Sequence, residues 1–363
     1  MQYLFRAACV IVLMLEAAMI WQPSEQGPEK RRKLSATFRK ELRATAPEVV
    51  FLGNSVLAYS TDASLFTKLS GRRTVCVSRG GSASAWWYLA LKNVILKTPE
   101  RPQWVVVFFR DRVLTDPGFR ATGQYKRAID EMATSREPIL DRLAYRRAMN
   151  GVTYCLLRHC PLYQRRDAIK RRIDSHIKKK VTALLGGTGC GNAHRAVRRV
   201  FAETNMDDRL LTMSQLTAEA RLARENGRFA EQLNRSFLPH MIALARENKV
   251  RIAFVRMKRR RDAATNREPP ALRTYMGALR TYLAENGAPL IDLTRDSRIT
   301  LDLYGAGDHL RSTPAVRHRF TELLVERLTP IFSMTPKMID RSPPALAADR
   351  GLSVAPCRFA ISR

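Results

Sequence analysis

Apolar residues in this chain fall into short unbroken runs, separated by longer stretches in which they recur every three or four positions. That alternation is expected of strands and amphipathic helices laid side by side. Five runs read as strands: residues 49–52, 74–77, 104–109, 250–256 and 289–293. Residues 83–97, 237–248, 270–286 and 314–332 read as helices. The run Trp104-Val-Val-Val-Phe-Phe109 has no polar position, which suits a central parallel strand covered by helices on both faces. Asn286-Gly287 supplies a helix stop before the fifth strand. The pattern predicts an α/β fold with a parallel sheet of about five strands.

Three regions break it. About 140 residues separate the third and fourth strands, far more than a crossover helix needs, so residues 120–235 read as a helical insertion, broken at Pro138, Pro161 and Gly186 to Gly191. At the amino end, the apolar run from Tyr3 to Trp21 has the length of a membrane segment, and its cleanest stretch has that of a signal-peptide core. Residues 1–23 are therefore an anchor or a signal, and 24–46 a basic linker. The sheet domain comprises 47–119 and 236–333. The tail, 334–363, carries Pro336, Pro343, Pro344 and Pro356 without periodicity and reads as disordered.

Composition narrows the class. With 45% hydrophobic residues, 8% aromatics and 18 each of Gly and Pro in 363 residues, the chain is neither collagen-like nor multi-spanning nor wholly disordered. Six cysteines are too few and too irregular for a disulfide scaffold. Charge is the outlier: 63 Lys+Arg against 33 Asp+Glu give a net charge of +30, which favours polyanionic surroundings. Between residues 141 and 200 alone stand 15 Lys+Arg and 3 Asp, either a solvated helix face or a docking surface for phosphates or acidic glycans. Nucleic acid is the weakest partner reading, since no stacking-aromatic, helix-turn-helix or zinc-finger pattern accompanies the charge.

The chemistry begins where the first strand runs into Gly53-Asn54-Ser55. Ligands bind at the carboxyl edge of a parallel sheet, and a serine there presents its hydroxyl to them. Near the other end, Tyr304-Gly-Ala-Gly-Asp-His-Leu310 follows the last strand and precedes the last helix, so topology returns His309 toward the first strand's end. Either motif alone is weak, and their order strengthens both.

On these residues the sequence resembles the SGNH/GDSL hydrolase superfamily. Gly53-Asn54-Ser55 stands where that family has its Gly-Asp-Ser block, Ser78-Arg-Gly-Gly-Ser82 where it has a glycine after the second strand, and Asp308-His309-Leu310 near its closing Asp-x-x-His block. Within the superfamily it is most similar to membrane-anchored, extracytoplasmic members that work beside membrane-bound O-acyltransferases, in alginate O-acetylation and D-alanyl transfer. The resemblance implies a three-layer flavodoxin-like fold, Ser55 as nucleophile, His309 as base, oxyanion stabilisation by amides near Gly80 and Gly81, acyl esters as substrates and no cofactor.

Two departures qualify it. The family's acid commonly sits three residues before the histidine, where this chain has Ala306. Asp308 is the candidate acid, with Asp302, Asp292 or a Ser-His dyad as alternatives. The third strand ends Phe109-Arg110-Asp111-Arg112, without the family's oxyanion Asn, so Arg110 is read either as an oxyanion or substrate-anion ligand or as half of an ion pair with Asp111. Arg112, Trp86 and Trp87 are candidate substrate-binding residues, although packing against the sheet is the better reading of the tryptophans. Cys155, His159, Cys160, Cys190 and His194 have spacings a zinc site uses, but a disulfide or buried thiols account for them more simply, and no metal is expected.

The reading is an acyl-ester transferase or esterase acting on an envelope polysaccharide, with a catalytically silent scaffold or anionic-polymer binder as the alternative. Its partners would be an envelope glycan or acyl donor, a membrane-bound O-acyltransferase, and the membrane itself through the amino-terminal segment. Basic residues at 30–33 favour a cytoplasmic body by the positive-inside rule, whereas the resemblance favours an inner-membrane anchor with a periplasmic body, and the resemblance is followed here.

Overall fold

The computed structural model describes residues 33–133, 137–146, 151, 156, 160, 163, 229–265, 268–305 and 308–334. Strands β1 (Val49–Gly53), β2 (Thr74–Ser78), β3 (Trp104–Phe109), β4 (Arg251–Arg256) and β5 (Leu290–Asp292) form one all-parallel sheet in the order β2-β1-β3-β4-β5. Helices α1 (Lys33–Thr45), α2 (Ser55–Ser60), α3 (Ala63–Ser70), α4 (Ser84–Asn93), α5 (Gly123–Asp130), α6 (Phe229–Leu233), α7 (Leu238–Glu247), α8 (Arg260–Thr265), α9 (Pro270–Glu285) and α10 (Pro314–Phe332) accompany it. The five strands match the five apolar runs to within a residue or two at each end.

Side chains alternate across a strand, so each central strand serves two cores. Val50, Leu52, Val105, Val107 and Phe254 pack with α1, α4, α7 and α9, while Val49, Phe51, Val106, Phe108 and Val255 pack with α2, α3 and α10. Every residue of β1 and β3 is buried, which explains why their sequences lack the polar alternation of a half-exposed strand.

Two segments depart from the sequence reading. Part of the expected linker is helix α1, whose Phe38 and Leu42, four apart on one face, are buried against the sheet. Its basic residues mask that stripe. The core also continues past residue 119 into the expected insertion: Ala128, Ile129, Met132, Leu140, Leu143 and Tyr145 join the same cluster. Among the described residues no helix is long and apolar enough to cross a membrane. The amino-terminal segment, the basic runs after residue 163 and the tail beyond 334 lie outside the described residues.

Candidate active site

From β1 the chain passes to β2 on one side and then crosses to β3 on the other, so the carboxyl ends of β1 and β3 flank the sheet's topological switch point. Ser55 stands there as the first residue of α2. The joint is made by small residues in close quarters. A side chain at Gly53 would place its Cβ 2.9 Å from that of Leu57 and 3.2 Å from that of Phe108. Asn54 caps α2, its Oδ1 accepting from the Val56 amide at 2.9 Å, and its Nδ2 donates to the Ser82 carbonyl at 3.3 Å. The Gly53 carbonyl accepts from the Ser82 hydroxyl at 3.0 Å and from the Arg79 amide at 3.3 Å. Neutral bonds thus fix the backbone beside Ser55 to the turn after β2.

His309 arrives from the loop before α10. Its Nε2 lies 2.9 Å from Ser55 Oγ, joining residues 254 apart in sequence. In the Nδ1-protonated tautomer this is a Ser hydroxyl donating to an imidazole acceptor, the arrangement general-base activation requires. Burial lowers the His309 pKa below its usual value, the Arg110 and Arg120 charges lower it further, and Asp308 opposes them. The neutral, proton-accepting form of the ring is thereby favoured. Tyr59, one turn along α2 from Ser55, meets the imidazole edge-on at 5.4 Å between ring centres.

Asp308 does not occupy the acid's place. Its Oδ2 accepts from Arg110 Nη1 at 2.6 Å and its Oδ1 from the Arg260 amide at 2.8 Å, so both carboxylate oxygens are bound away from the neighbouring imidazole. Arg110 Nη2 also donates to the Asp308 carbonyl at 2.5 Å. Adjacency explains the outcome: a side chain one residue from His309 cannot readily turn back to the same ring while reaching β3. The fallback acids are engaged elsewhere, Asp292 with Arg256, Arg280 and Thr294, and the exposed Asp302 with Thr300. Among the described residues no carboxylate accepts from His309.

Arg110 therefore forms an ion pair, with Asp308 and not with Asp111 as partner, and is committed to the His309 loop instead of an oxyanion. Asp111 pairs with Arg256 and Arg259, and buried Arg256 also reaches Glu268 and Asp292. This network ties the loops after β3, β4 and β5 together beneath the site. The Lys258 carbonyl adds a further tie, accepting from the Tyr304 hydroxyl at 2.9 Å.

Gly80 and Gly81 form the turn bonded to Ser55's neighbours. Gly81 has φ of 76°, and a Cβ there would come 2.5 Å from the Tyr125 ring. Among the described residues neither its amide nor that of Ser55 has an internal acceptor, which leaves both able to serve an oxyanion. Trp86 and Trp87 are buried in the core, at 1% and 0% exposure, and Trp87 Nε1 donates to the Ser82 hydroxyl at 3.0 Å. The packing reading holds for both tryptophans. Arg112 lies in the loop after β3, its carbonyl accepting from the Thr115 and Asp116 amides. Of the expected zinc set only Cys160 is described, and no group of three metal-ligating side chains occurs among the described residues.

Sequence reasoning missed the roles of Asn54, Ser82 and Tyr59. A helix-capping Asn before the serine, and a tyrosine four residues after it on the same helical face, were the available signals.

No protein-family model matches this chain, and no curated protein does. Solved structures that resemble it include a protein provisionally described as an acylhydrolase from Bacteroides fragilis, with 11% identity over 85% of this chain and 100% of that one, at a TM-score of 0.36. Another is a GDSL-like lipase from Bacteroides thetaiotaomicron, with 12% identity over 82% and 97%, at a TM-score of 0.36. A third, provisionally called platelet activating factor, comes from Streptococcus pneumonia, with 10% identity over 88% and 99%, at a TM-score of 0.36. At this level of likeness none bears on activity, and the fold stands on the observed strand order.

Proposed function

We propose that the protein is an acyl-ester hydrolase or transferase using a Ser55-His309 dyad. The single observation that carries this reading is the 2.9 Å contact between Ser55 Oγ and His309 Nε2 at the sheet's switch point. Ser55 Oγ attacks the ester carbonyl as His309 Nε2 takes its proton, and the tetrahedral oxyanion is met by the Ser55 and Gly81 amides. Collapse breaks the bond to the alcohol oxygen, which leaves with the proton from His309, and the acyl group remains on Ser55. Water, or the hydroxyl of an acceptor, then repeats the sequence in reverse. Burial and the flanking arginines lower the His309 pKa, which favours the neutral imidazole that accepts the Ser55 proton.

The finer reading places this chemistry on an envelope polysaccharide, beside an O-acyltransferase, with the body outside the inner membrane. It is supported by the chain's charge and by the superfamily resemblance. The test is turnover of 4-nitrophenyl acetate with and without a sugar acceptor. A burst of nitrophenol that Ser55→Ala abolishes is the expected result, and acetylated sugar among the products identifies a transferase. Equal rates for wild type and Ser55→Ala leave the scaffold alternative in place of the enzyme.

A further inference from the structure

Against the turn after β2 lies a cleft of about 190 Å³, lined among others by Arg79, Gly81, Trp86, Arg120 and Tyr125. One wall is the turn at 79–82, which bonds directly to Gly53 and Asn54, so the cleft adjoins the nucleophile on the side where the oxyanion amides lie. Of its lining, the Ser-His chemistry uses only the Gly81 amide.

Its two cations differ. Arg79 donates to Glu131 at 2.8 Å, a carboxylate that it shares with Arg127. Arg120 stacks over Phe119 and Tyr125, with its guanidinium carbon 5.0 Å and 5.4 Å from the ring centres, and among the described residues no carboxylate lies within ion-pair distance of it. A second polar group in the cleft wall is also unmatched. Trp86 is 1% exposed, and its Nε1 has no hydrogen-bond partner among the described residues. An aromatic-backed guanidinium and an indole N–H that both lack an anion or acceptor are the donor set for a carboxylate. Arg120 also lowers the His309 pKa slightly through its charge.

We propose that this cleft binds a carboxylate carried by the ester substrate, with Arg120 supplying the charge and Trp86 Nε1 a hydrogen bond, so that the enzyme prefers acid-bearing acyl esters to neutral ones. The proposal rests on the Ser55-His309 reading and names the substrate class of that site. The guanidinium of Arg120 and one indole N–H offer donors for the two oxygens of a carboxylate, fewer than the three terminal oxygens of a phosphate monoester would take. A bound carboxylate also offsets the Arg120 charge at His309, so an acidic ester strengthens the base that takes the proton from Ser55.

The test compares kcat/KM of the full chain for 4-acetoxybenzoate, its neutral methyl ester and 4-acetoxyphenyl phosphate. Arg120 has φ of 55°, which Asn tolerates well, so Arg120→Asn removes the charge with the least backbone disturbance. The ratio of carboxylate to neutral ester is expected to fall about tenfold in Arg120→Asn and a few-fold in Trp86→Phe, and to be largely retained in Arg120→Lys. The same ratio in wild type should fall with added salt. A ratio unchanged in both Arg120→Asn and Trp86→Phe overturns the cleft assignment, and a larger drop for the phosphate ester overturns the choice of carboxylate. If no ester is turned over, the dyad reading fails by itself. Calorimetric binding of 4-hydroxybenzoate to Ser55→Ala, lost on adding Arg120→Asn, then still decides the cleft.

Discussion

The two halves of the proposed Ser55-His309 pair are held by different kinds of force. Ser55 sits in a joint closed by neutral bonds among Gly53, Asn54 and Ser82, residues that belong to consecutive elements of one sheet edge. His309 sits in a loop with little regular structure, drawn to β3 by the Arg110-Asp308 ion pair across 198 residues of chain. A strand end surrounded by close-packed backbone can fix a hydroxyl without charge. A long loop loses more entropy on ordering and needs a stronger, directional tie. The nucleophile should accordingly be insensitive to pH and salt, and the base should respond to both.

The largest effect tests whether the pair acts as a unit. Ser55→Ala and His309→Gln are each expected to lower kcat on a simple ester by about a thousandfold or more, and the double variant by little beyond either. Additive losses, measured in steady state, would show two independent contributions.

The ion pair comes next. Arg110→Met strands Asp308 and should lower stability by roughly 2–3 kcal/mol in urea unfolding, with Arg110→Met/Asp308→Asn recovering part of it. Asp308→Asn should cost activity only about tenfold, whereas loss of a true triad acid costs about ten-thousandfold.

The pH profile separates the two roles further. His309 must be neutral to act, and its pKa is lowered chiefly by burial and then by Arg110. Wild-type kcat/KM should therefore hold at neutral pH and fall only below the ordinary histidine value of about 6.5. Removing the Arg110 charge should move that acid limb to higher pH, and Asp308→Asn should move it lower. Shifts of the same sign in both variants would contradict the opposed electrostatics described above.

On the nucleophile's side, Asn54→Ala removes the cap of α2 and is expected to cost about 1 kcal/mol. The limb position should stay unchanged. The smallest effect belongs to Tyr59→Leu, which loses the edge contact with His309 and should cost at most about 1 kcal/mol, read as a slight rise in KM or fall in kcat.

The same contrast explains what the sequence made legible. β1 and β3 announce themselves because burial on both faces leaves no polar position, and Ser55 is visible because it follows such a strand directly. The pairing with His309 could be inferred from topology alone, since parallel order brings the last loop back to the first strand's end. The partner of Asp308 could not. Nothing in Phe109-Arg110-Asp111 tells which of two adjacent residues turns toward a loop nearly two hundred positions away, and the local pairing with Asp111 was the natural guess. Helix α1 stayed hidden for another reason: three apolar residues, Leu34, Phe38 and Leu42, suffice to dock a helix whose remaining positions are mostly charged or polar.

The most direct test of the central claim is reaction of the full chain with a fluorophosphonate serine probe, the adduct located by peptide mass spectrometry. The account predicts one adduct on Ser55, absent in Ser55→Ala, slowed strongly in His309→Gln and only modestly in Asp308→Asn. Failure of the folded wild type to label, or equal labelling of wild type and Ser55→Ala, would contradict it.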